Sequence, residues 1–177
     1  MNIYTLGPSG TNCEKAARQY MAKSGWNGQI ELRATLEEAL DDLLGSQEPG
    51  ILMGCIVYPR LHEIVFRRLD RLKLVDHHLM DTYDTVFARN GNTTVKRIGS
   101  HPAPTSLLAK LGEPATSAEL VLCTSNSEAA RQCALGNIDG CITTIEAAQN
   151  NELHIVENFG PVPMGFSIHL KTATPVA

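Results

Sequence analysis

Short apolar runs alternate along the chain with stretches whose apolar residues recur at helical spacing. The runs predict strands or extended segments, and the amphipathic stretches predict helices. The extended segments are residues 2–6, 29–34, 50–58, 74–88, 95–100, 120–123, 140–143, 153–159 and 165–170. The first predicted helix begins after residue 11. The others span residues 35–44, 61–72, 104–111, 125–135 and 144–150. This rhythm indicates an α/β fold with mostly parallel sheets.

Four of the predicted helices begin with a Ser or Thr that is followed three residues later by Glu. The hydroxyl can accept a hydrogen bond from a backbone N–H of the first turn, and the Glu can reach back to the cap residue. The four pairs are Thr11/Glu14, Thr35/Glu38, Ser125/Glu128 and Thr143/Glu146. They strengthen the predicted helix starts and say little about chemistry.

Ligands of such sheets bind beyond the carboxyl ends of strands, where loops meet helix N-termini. These loops are short and rich in small and hydroxyl residues: GPSGT, VYPRLHE, GSHPAP, CTSNSE and CITTIE. The chain is also predicted to form two lobes. Lobe 1 comprises residues 1–78 and 157–177, and lobe 2 comprises residues 79–156.

Composition and charge exclude several classes of protein. Hydrophobic residues make up 43% of the 177 residues and the net charge is −4, which suits a soluble globular protein without a basic surface for nucleic acid. No apolar run approaches the roughly 18 residues that span a bilayer, and the N-terminus lacks the features of a signal peptide. Five cysteines without a C-x-x-C motif argue against a disulfide framework or a zinc site. We therefore expect a cytoplasmic protein that binds neither membrane nor nucleic acid.

The first candidate site is the loop Gly7-Pro8-Ser9-Gly10-Thr11, between the first strand and the first helix. Backbone N–H groups at a helix start favour an anion such as a carboxylate or phosphate. The loop lacks the GK[ST] ending of a P-loop and the G-x-G-x-x-G pattern of dinucleotide-binding proteins. A plain capped turn explains it equally well.

Two similar loops lie in the second half of the chain. Ser100 could bind a ligand or cap a helix, and His101 could act as an acid or base near neutral pH or have a purely structural role. Ser125 and Asn126 offer hydrogen-bonding groups at a third helix start, although Ser125 is expected to be committed to the cap.

Arg60 and His62 follow the third predicted strand. Arg60 could hold a carboxylate through two hydrogen bonds, or it could be a solvated charge at a helix start. His77 and His78 are adjacent, so in a strand they point to opposite faces and cannot share a metal. No metal-ligand spacing and no G-x-S-x-G nucleophile motif occurs. The residues alone indicate an α/β protein that binds a small, anionic, oxygen-rich molecule without a metal.

Three motifs in order resemble the prephenate dehydratase-like family. TLGPSGTNCEKAA is similar to the opening of dehydratase domains, GSHP at residues 99–102 to their Ser-His-Pro segment, and SNSEAARQCALGNIDGCI to a later Ala-rich segment. The resemblance implies two lobes like those of a periplasmic binding protein, with the substrate in the cleft between them. It also implies a lyase without a cofactor, often a homodimer. The chain ends too early to include the regulatory domain that usually follows the catalytic part.

Two departures from the dehydratases set this chain apart. Dehydratases carry a Thr-Arg-Phe triplet near the end of the catalytic domain; the Thr is credited with protonating the departing hydroxyl, and the Arg helps to hold a carboxylate. The corresponding stretch, residues 159–166, reads FGPVPMGF and contains neither residue. Residues 58–63, YPRLHE, lack the family's Asn-Ser pair. Both departures resemble the prephenate decarboxylases of bacilysin-type antibiotic pathways, which also share the Ser-His-Pro-x-Pro stretch and the Pro-Met run at Pro163-Met164.

The resemblance implies decarboxylation of prephenate, a small dicarboxylate, with the ring hydroxyl retained. The proton donor is then His101 or His62. The residues expected to bind substrate are Ser9, Gly10, Thr11, Arg60, Ser100, Ser125, Asn126, Met164 and Phe166. Three alternatives stay open: a dehydratase with Thr11 or Thr143 as substitute acid, a lyase or isomerase acting on another ring carboxylate such as a tropone-type precursor, and a non-catalytic carboxylate-binding protein.

Overall fold

The computed structural model describes residues 1–91, 94–112 and 117–172. Its strands are β1 (Asn2–Leu6), β2 (Ile30–Arg33), β3 (Gly50–Cys55), β4 (Leu72–Asp81), β5 (Thr85–Arg89), β6 (Arg97–Ser100), β7 (Glu119–Leu122), β8 (Gly140–Thr144), β9 (His154–Gly160) and β10 (Pro163–Lys171). Its helices are α1 (Asn12–Lys23), α2 (Leu36–Gly45), α3 (Leu61–Phe66), α4 (Asn126–Ala134) and α5 (Ile145–Asn150), with a 3₁₀ helix at Ala103–Lys110. The predicted strand–helix rhythm is therefore present.

The chain forms two compact units. The first unit is Met1–Met80 together with the segment that begins at Pro163, and the second is Asp81–Val162. The second unit continues to Val162 because β9 pairs with β5 inside it. Residues 173–177, which the sequence assigns to lobe 1, lie outside the described residues.

The first unit contains a five-stranded sheet in the order β2-β1-β3-β10-β4. β1 is parallel to β2 and β3, whereas β10 is antiparallel to β3, with Ile168 opposite Met53. Five of the six residues of β3 are buried, as its nearly continuous apolar sequence predicts. Helix α1 covers the core around Ile3, and α2 and α3 cover the core around Leu52.

The second unit contains another five-stranded sheet, in the order β7-β6-β8-β5-β9. β6 is parallel to β7 and β8, and β5 is antiparallel to β8 and β9. Helices α4 and α5 pack on the core around Cys141, and the 3₁₀ helix contributes to the core around Ile142.

The prediction of mostly parallel sheets is wrong, because both sheets are mixed. In the first sheet the antiparallel strand is β10, which returns from the second unit beside β3. In the second sheet it is β5. The single extended segment predicted over residues 74–88 is divided between β4 and β5, one in each unit. An apolar run predicts a buried strand but carries no information on its direction.

Three of the four predicted caps are confirmed. Thr11, Thr35 and Ser125 each accept the N–H of the Glu three residues later. The fourth cap is displaced by one residue, because Thr144 and not Thr143 accepts the N–H of Ala147. β8 therefore extends one residue further than predicted.

Candidate functional site

The loop between β1 and α1 lies at the carboxyl edge of the first sheet. It contains a cis peptide bond between Gly7 and Pro8, and Gly10 has a positive φ of 84°, a conformation that glycine adopts at little cost. The hydroxyl of Thr11 accepts the N–H of Glu14 at 3.2 Å and donates to the carbonyl of Leu6 at 3.3 Å. The side chain of Thr11 therefore links the end of β1 to the first turn of α1.

The carboxylate of Glu14 fills the position in which a ligand anion was expected. Its Oε2 accepts the hydroxyl of Ser9 at 2.7 Å and the N–H of Gly10 at 2.8 Å, and its Oε1 accepts the guanidinium of Arg18. Burial alone would raise the pKa of Glu14, but the hydrogen bonds from Gly10, Ser9 and Arg18 bring it below its ordinary value. One of the predicted backbone donors, the N–H of Gly10, and the hydroxyl of Ser9 thus already bind a carboxylate of the protein itself.

Arg60 and His62 lie near the start of α3, at the carboxyl end of β3. Arg60 is exposed and forms ion pairs with Glu63 at 3.2 Å and Glu37 at 3.7 Å. His62 is exposed on α3. Tyr58, which no sequence motif singles out as a site residue, donates its hydroxyl to Glu37 at 2.6 Å. Burial and that contact raise the pKa of Tyr58 to about 12, so the phenol stays protonated.

Met164 and Phe166 lie on β10 at the same edge of the first sheet, because Phe166 is paired with Cys55 at the end of β3. Met164 is half-buried and packs against the core around Ile3. Phe166 has no exposed surface and belongs to that core. In this structure its ring supports the site from within and offers no surface to a substrate.

In the second unit, Ser100 and His101 end β6. Ser100 is fully buried, and its hydroxyl donates to the carbonyl of His101 at 2.8 Å. The ring of His101 is half-buried, and its Nδ1 accepts the N–H of Ala103 at 3.2 Å. That hydrogen bond assigns the proton of the neutral ring to Nε2. Desolvation lowers the pKa of His101, so its neutral form is favoured at pH 7.

The start of α4 supplies two buried polar atoms that have no hydrogen-bond partner within the described residues: Asn126 Oδ1 and Ser127 Oγ. Ser125 is committed to the cap, as expected, through the N–H of Glu128 at 3.0 Å. Buried polar atoms normally have a partner, so these two are candidates for hydrogen bonds to a bound polar group. Ser127 was absent from the predicted binding residues, although the run Thr124–Ser127 had marked the segment.

These residues lie together at one edge of the second sheet. β6, β7 and β8 are parallel, so their carboxyl ends meet at that edge. The N–H of Cys123 donates to the carbonyl of Ser100 at 2.9 Å, and the hydroxyl of Thr143 donates to the carbonyl of Asn126 at 2.7 Å. The edge combines one titratable imidazole with amide and hydroxyl groups, a set suited to binding an oxygen-rich molecule and moving a proton.

His77 and His78 both lie in β4, with His77 exposed and His78 buried, as expected for opposite faces. Over residues 1–91, 94–112 and 117–172, no three His, Cys, Asp or Glu side chains are arranged to hold a metal ion. In the same ranges no helix has the length and apolar character needed to cross a membrane.

Comparison with known proteins supports the resemblance drawn from the motifs. No family model matches the chain. The chain is 27% identical over 180 residues to a prephenate decarboxylase of Bacillus subtilis (strain 168), covering 97% of this chain and 87% of that protein. It is also 27% identical over 184 residues to a prephenate decarboxylase of Bacillus amyloliquefaciens, with the same coverage. The predicted similarity to prephenate decarboxylases is confirmed.

Similar solved structures establish the fold. A prephenate dehydratase from Arthrobacter aurescens in complex with L-Phe has a TM-score of 0.75 and 17% identity; the match covers 98% of this chain and 61% of that one. GqqA, described as a novel type of quorum quenching acylase, has a TM-score of 0.67 and 17% identity; the match covers 100% of this chain and 66% of that one. The periplasmic domain of BvgS from B. pertussis has a TM-score of 0.59 and 14% identity; the match covers 97% of this chain and 37% of that one. The α/β architecture with two mixed sheets is shared with dehydratase and periplasmic domains.

Proposed function

We propose that the protein is a lyase that decarboxylates prephenate without making the ring aromatic. The observation that carries the proposal is the segment of residues 159–166, which contains neither the threonine nor the arginine of the dehydratases that it resembles. Similarity to two Bacillus prephenate decarboxylases over 97% of the chain supports the same assignment.

The chemistry explains why the missing threonine matters. Prephenate carries a ring carboxylate, a pyruvyl carboxylate and a ring hydroxyl. When the bond to the ring carboxylate breaks, CO₂ leaves and its bonding electron pair enters the ring diene. If an acid protonates the hydroxyl, water departs and the ring becomes aromatic. Without that acid, the electron pair takes up a proton at a ring carbon and the hydroxyl remains.

Neither threonine that could substitute for the missing acid has an uncommitted hydroxyl proton. Thr11 donates to the carbonyl of Leu6, and Thr143 donates to the carbonyl of Asn126. Thr143 also has no exposed surface. These contacts favour decarboxylation with retention of the hydroxyl over dehydration.

His101 is the better of the two candidate proton donors. Its ring is half-buried and oriented by the N–H of Ala103, whereas His62 is exposed on a short helix. A donor must be held in a fixed position to lower the barrier of proton transfer. The contact with Ala103 orients the neutral ring. In this proposal the ring takes up a second proton at Nδ1, which then releases the N–H of Ala103, and Nε2 delivers its proton to the ring carbon; solvent restores that proton after each turnover.

The polar groups at the carboxyl edge of the second sheet bind the substrate's oxygen atoms in this proposal. Asn126 and Ser127 are the strongest candidates, because Asn126 Oδ1 and the Ser127 hydroxyl are buried and have no partner among the described residues. Arg60 would have to exchange at least one of its two glutamate partners for a substrate carboxylate. Ser9, Gly10 and Thr11 stay predicted binding residues of the first unit, and Ser100 orients His101 through its hydrogen bond to the carbonyl of that residue. A homodimer, a cytoplasmic location and a mechanism without a cofactor belong to the same proposal.

The test is to incubate purified protein with prephenate at pH 8, which slows spontaneous acid-driven aromatisation, and to measure the mass of the product. Loss of CO₂ alone supports the proposal. Phenylpyruvate would overturn it in favour of a dehydratase. Unchanged prephenate would overturn both and direct the search to another ring carboxylate or to a binding role, for which ligand-induced thermal stabilisation without turnover is the signature.

A further inference from the structure

The segment that joins α3 to β4 is strongly basic. Residues 66–73 read FRRLDRLK, with four basic residues and one acidic residue, so the local charge is +3. Because the net charge of the whole chain is −4, the other 169 residues together carry −7. Positive charge is therefore concentrated in this segment, which we call the basic turn.

Two apolar side chains of the basic turn face solvent. Phe66 is 74% exposed and Leu69 is 53% exposed. Arg67, Arg68 and Lys73, which lie close to them in the sequence, are exposed as well. Apolar side chains that stay exposed in one short segment, with charged residues around them, are typical of surfaces that contact another molecule.

The core of the first unit holds the basic turn at both ends. Ile64 of α3 and Leu72 at the start of β4 are buried in the core around Leu52. Between these two anchors, the carbonyl of Arg68 accepts the N–H of Arg71 at 2.9 Å and the N–H of Leu72 at 2.8 Å. The exposed side chains therefore project from a backbone that is already ordered, which reduces the entropy lost when a partner binds.

Most of the positive charge in the basic turn is not neutralised by the chain itself. Arg67 forms an ion pair with Glu63 at 3.3 Å. Within residues 1–91, 94–112 and 117–172, no acidic group lies within ion-pair distance of Arg68, Arg71 or Lys73. Like charges in one short segment repel one another, and the carboxylates of a partner would relieve that repulsion.

The composition of the basic turn fits a protein partner better than a lipid surface. Three of the four basic residues are arginines, whose planar guanidinium groups can each bind a carboxylate through two hydrogen bonds. Arginine and aromatic residues are enriched in protein interfaces, whereas lysine is depleted. The charge of −7 on the rest of the chain would also oppose the approach of an anionic membrane.

We propose that the basic turn binds an acidic segment of a partner protein, one that carries an aromatic or aliphatic side chain among its carboxylates. The carboxylates contact Arg68 and Lys73, and the apolar side chain packs on Phe66 and Leu69. Eight residues are fewer than the roughly 20 a side of a stable interface, so the contact is reversible. The basic turn is independent of the proposed function, because none of its residues belongs to the candidate site.

A copolymer of glutamate and tyrosine is the probe for this surface. The fluorescein-labelled copolymer is titrated with the unmodified protein, and fluorescence anisotropy reports binding at low salt and at about 0.15 M salt. We expect binding that weakens as the salt concentration rises. Polyglutamate of the same length should bind more weakly than the copolymer, because it has no aromatic ring to pack on the apolar side chains.

Matched charge reversals test whether the basic turn is the contact. Arg68→Glu/Lys73→Glu should raise the dissociation constant of the copolymer at least about tenfold at low salt. Lys96→Glu/Lys110→Glu changes the net charge equally at two exposed lysines of the second unit and should raise it less than about threefold. Phe66→Ser should remove the preference for the copolymer over polyglutamate. Thermal unfolding of each variant checks that the fold is intact.

Two results would overturn the inference: no binding of the copolymer to the unmodified protein, and equal losses of affinity in the two double variants. Vesicles of phosphatidylcholine and phosphatidylserine are tested in parallel. Vesicle binding without copolymer binding would replace the protein partner by anionic lipid. Turnover of prephenate by Arg68→Glu/Lys73→Glu is measured separately and should be unchanged, so failure of this contact and failure of the proposed function are distinguishable.

Discussion

At the scale of single residues, the contacts of Glu14 are the largest difference between the predicted anion-binding loop and the observed one. Spacing predicted that Glu14 would reach back to the cap residue of α1, but it contacts Ser9 and Gly10 instead. The positive φ of Gly10 turns the N–H of that residue toward the carboxylate. A capping pattern cannot reveal such a contact, since it depends on the path of the loop and not on the spacing of residues.

The contacts of Glu14 predict a dependence of stability on pH. Because its pKa is lowered in the folded protein, its stabilisation is present above the unfolded pKa and is lost as the pH falls through the folded value. Glu14→Gln should lower the free energy of unfolding at pH 7 by about 1–2 kcal/mol, the range for hydrogen bonds to a charged group. The difference from the unmodified protein should vanish in acid.

Urea unfolding at pH 7 and below pH 4 measures this effect. Glu38→Gln is the matched control, because Glu38 occupies the same position in α2 but is exposed. We expect that control to change stability by less than about 0.5 kcal/mol at either pH. Equal losses in the two variants would contradict the assigned role of Glu14.

The proposed role of His101 as proton donor predicts that the rate of catalysis depends on pH. If protonated His101 is the donor, kcat is highest below its lowered pKa and falls as the pH rises through that value, which lies below the ordinary 6.5. His101→Gln should reduce kcat by about two to four orders of magnitude and remove this dependence. His62→Gln should leave both unchanged. Initial rates between pH 5.5 and 8, corrected for spontaneous decay of prephenate, measure the profile; a pH-dependent rate that persists without His101 would exclude it as the donor.

At the scale of elements, the start of α4 has two roles, as a capped helix end and as part of the site. Ser125 and Thr35 make the same capping contact, to Glu128 N at 3.0 Å and to Glu38 N at 3.1 Å. Of these two helix starts, that of α4 carries buried polar atoms, on Asn126 and Ser127, that have no partner in the part of the chain that the structure describes. The two caps therefore form a matched pair that separates stability from binding.

Ser125→Ala and Thr35→Ala should each cost about 1 kcal/mol of stability. Ser125→Ala should in addition raise KM for prephenate, because α4 no longer holds Asn126 and Ser127 in place. Thermal unfolding and steady-state kinetics on the same preparations make the comparison. Parallel changes in KM for both variants would show that α4 has no special part in binding.

The elements also show how far sequence could predict this fold. Apolar periodicity and hydroxyl caps identified the helices and most strands, because both are local properties. The direction of β10 beside β3 could not be predicted, since it depends on which unit the chain re-enters. The predicted helix over residues 61–72 ends at Phe66, and the chain then turns so that Leu72 can bury its side chain at the start of β4.

The candidate site was predicted in part. The hydroxyl-rich loops after strands singled out Ser100, His101 and Asn126, which the parallel strands β6, β7 and β8 bring to one edge. Phe166 was expected to contact substrate but is buried in the core. An apolar residue near a site can serve either purpose, and only its burial in the fold distinguishes them.

At the scale of the whole molecule, the chain is expected to remove CO₂ from prephenate and to leave the ring hydroxyl in place. The most direct measurement uses prephenate whose ring hydroxyl carries a heavy-oxygen label. The product and the water are analysed by mass spectrometry after incubation at pH 8, beside a control without protein. For a decarboxylase we expect the label to stay in an organic product that has lost only CO₂. Release of the label into water with formation of phenylpyruvate would contradict it.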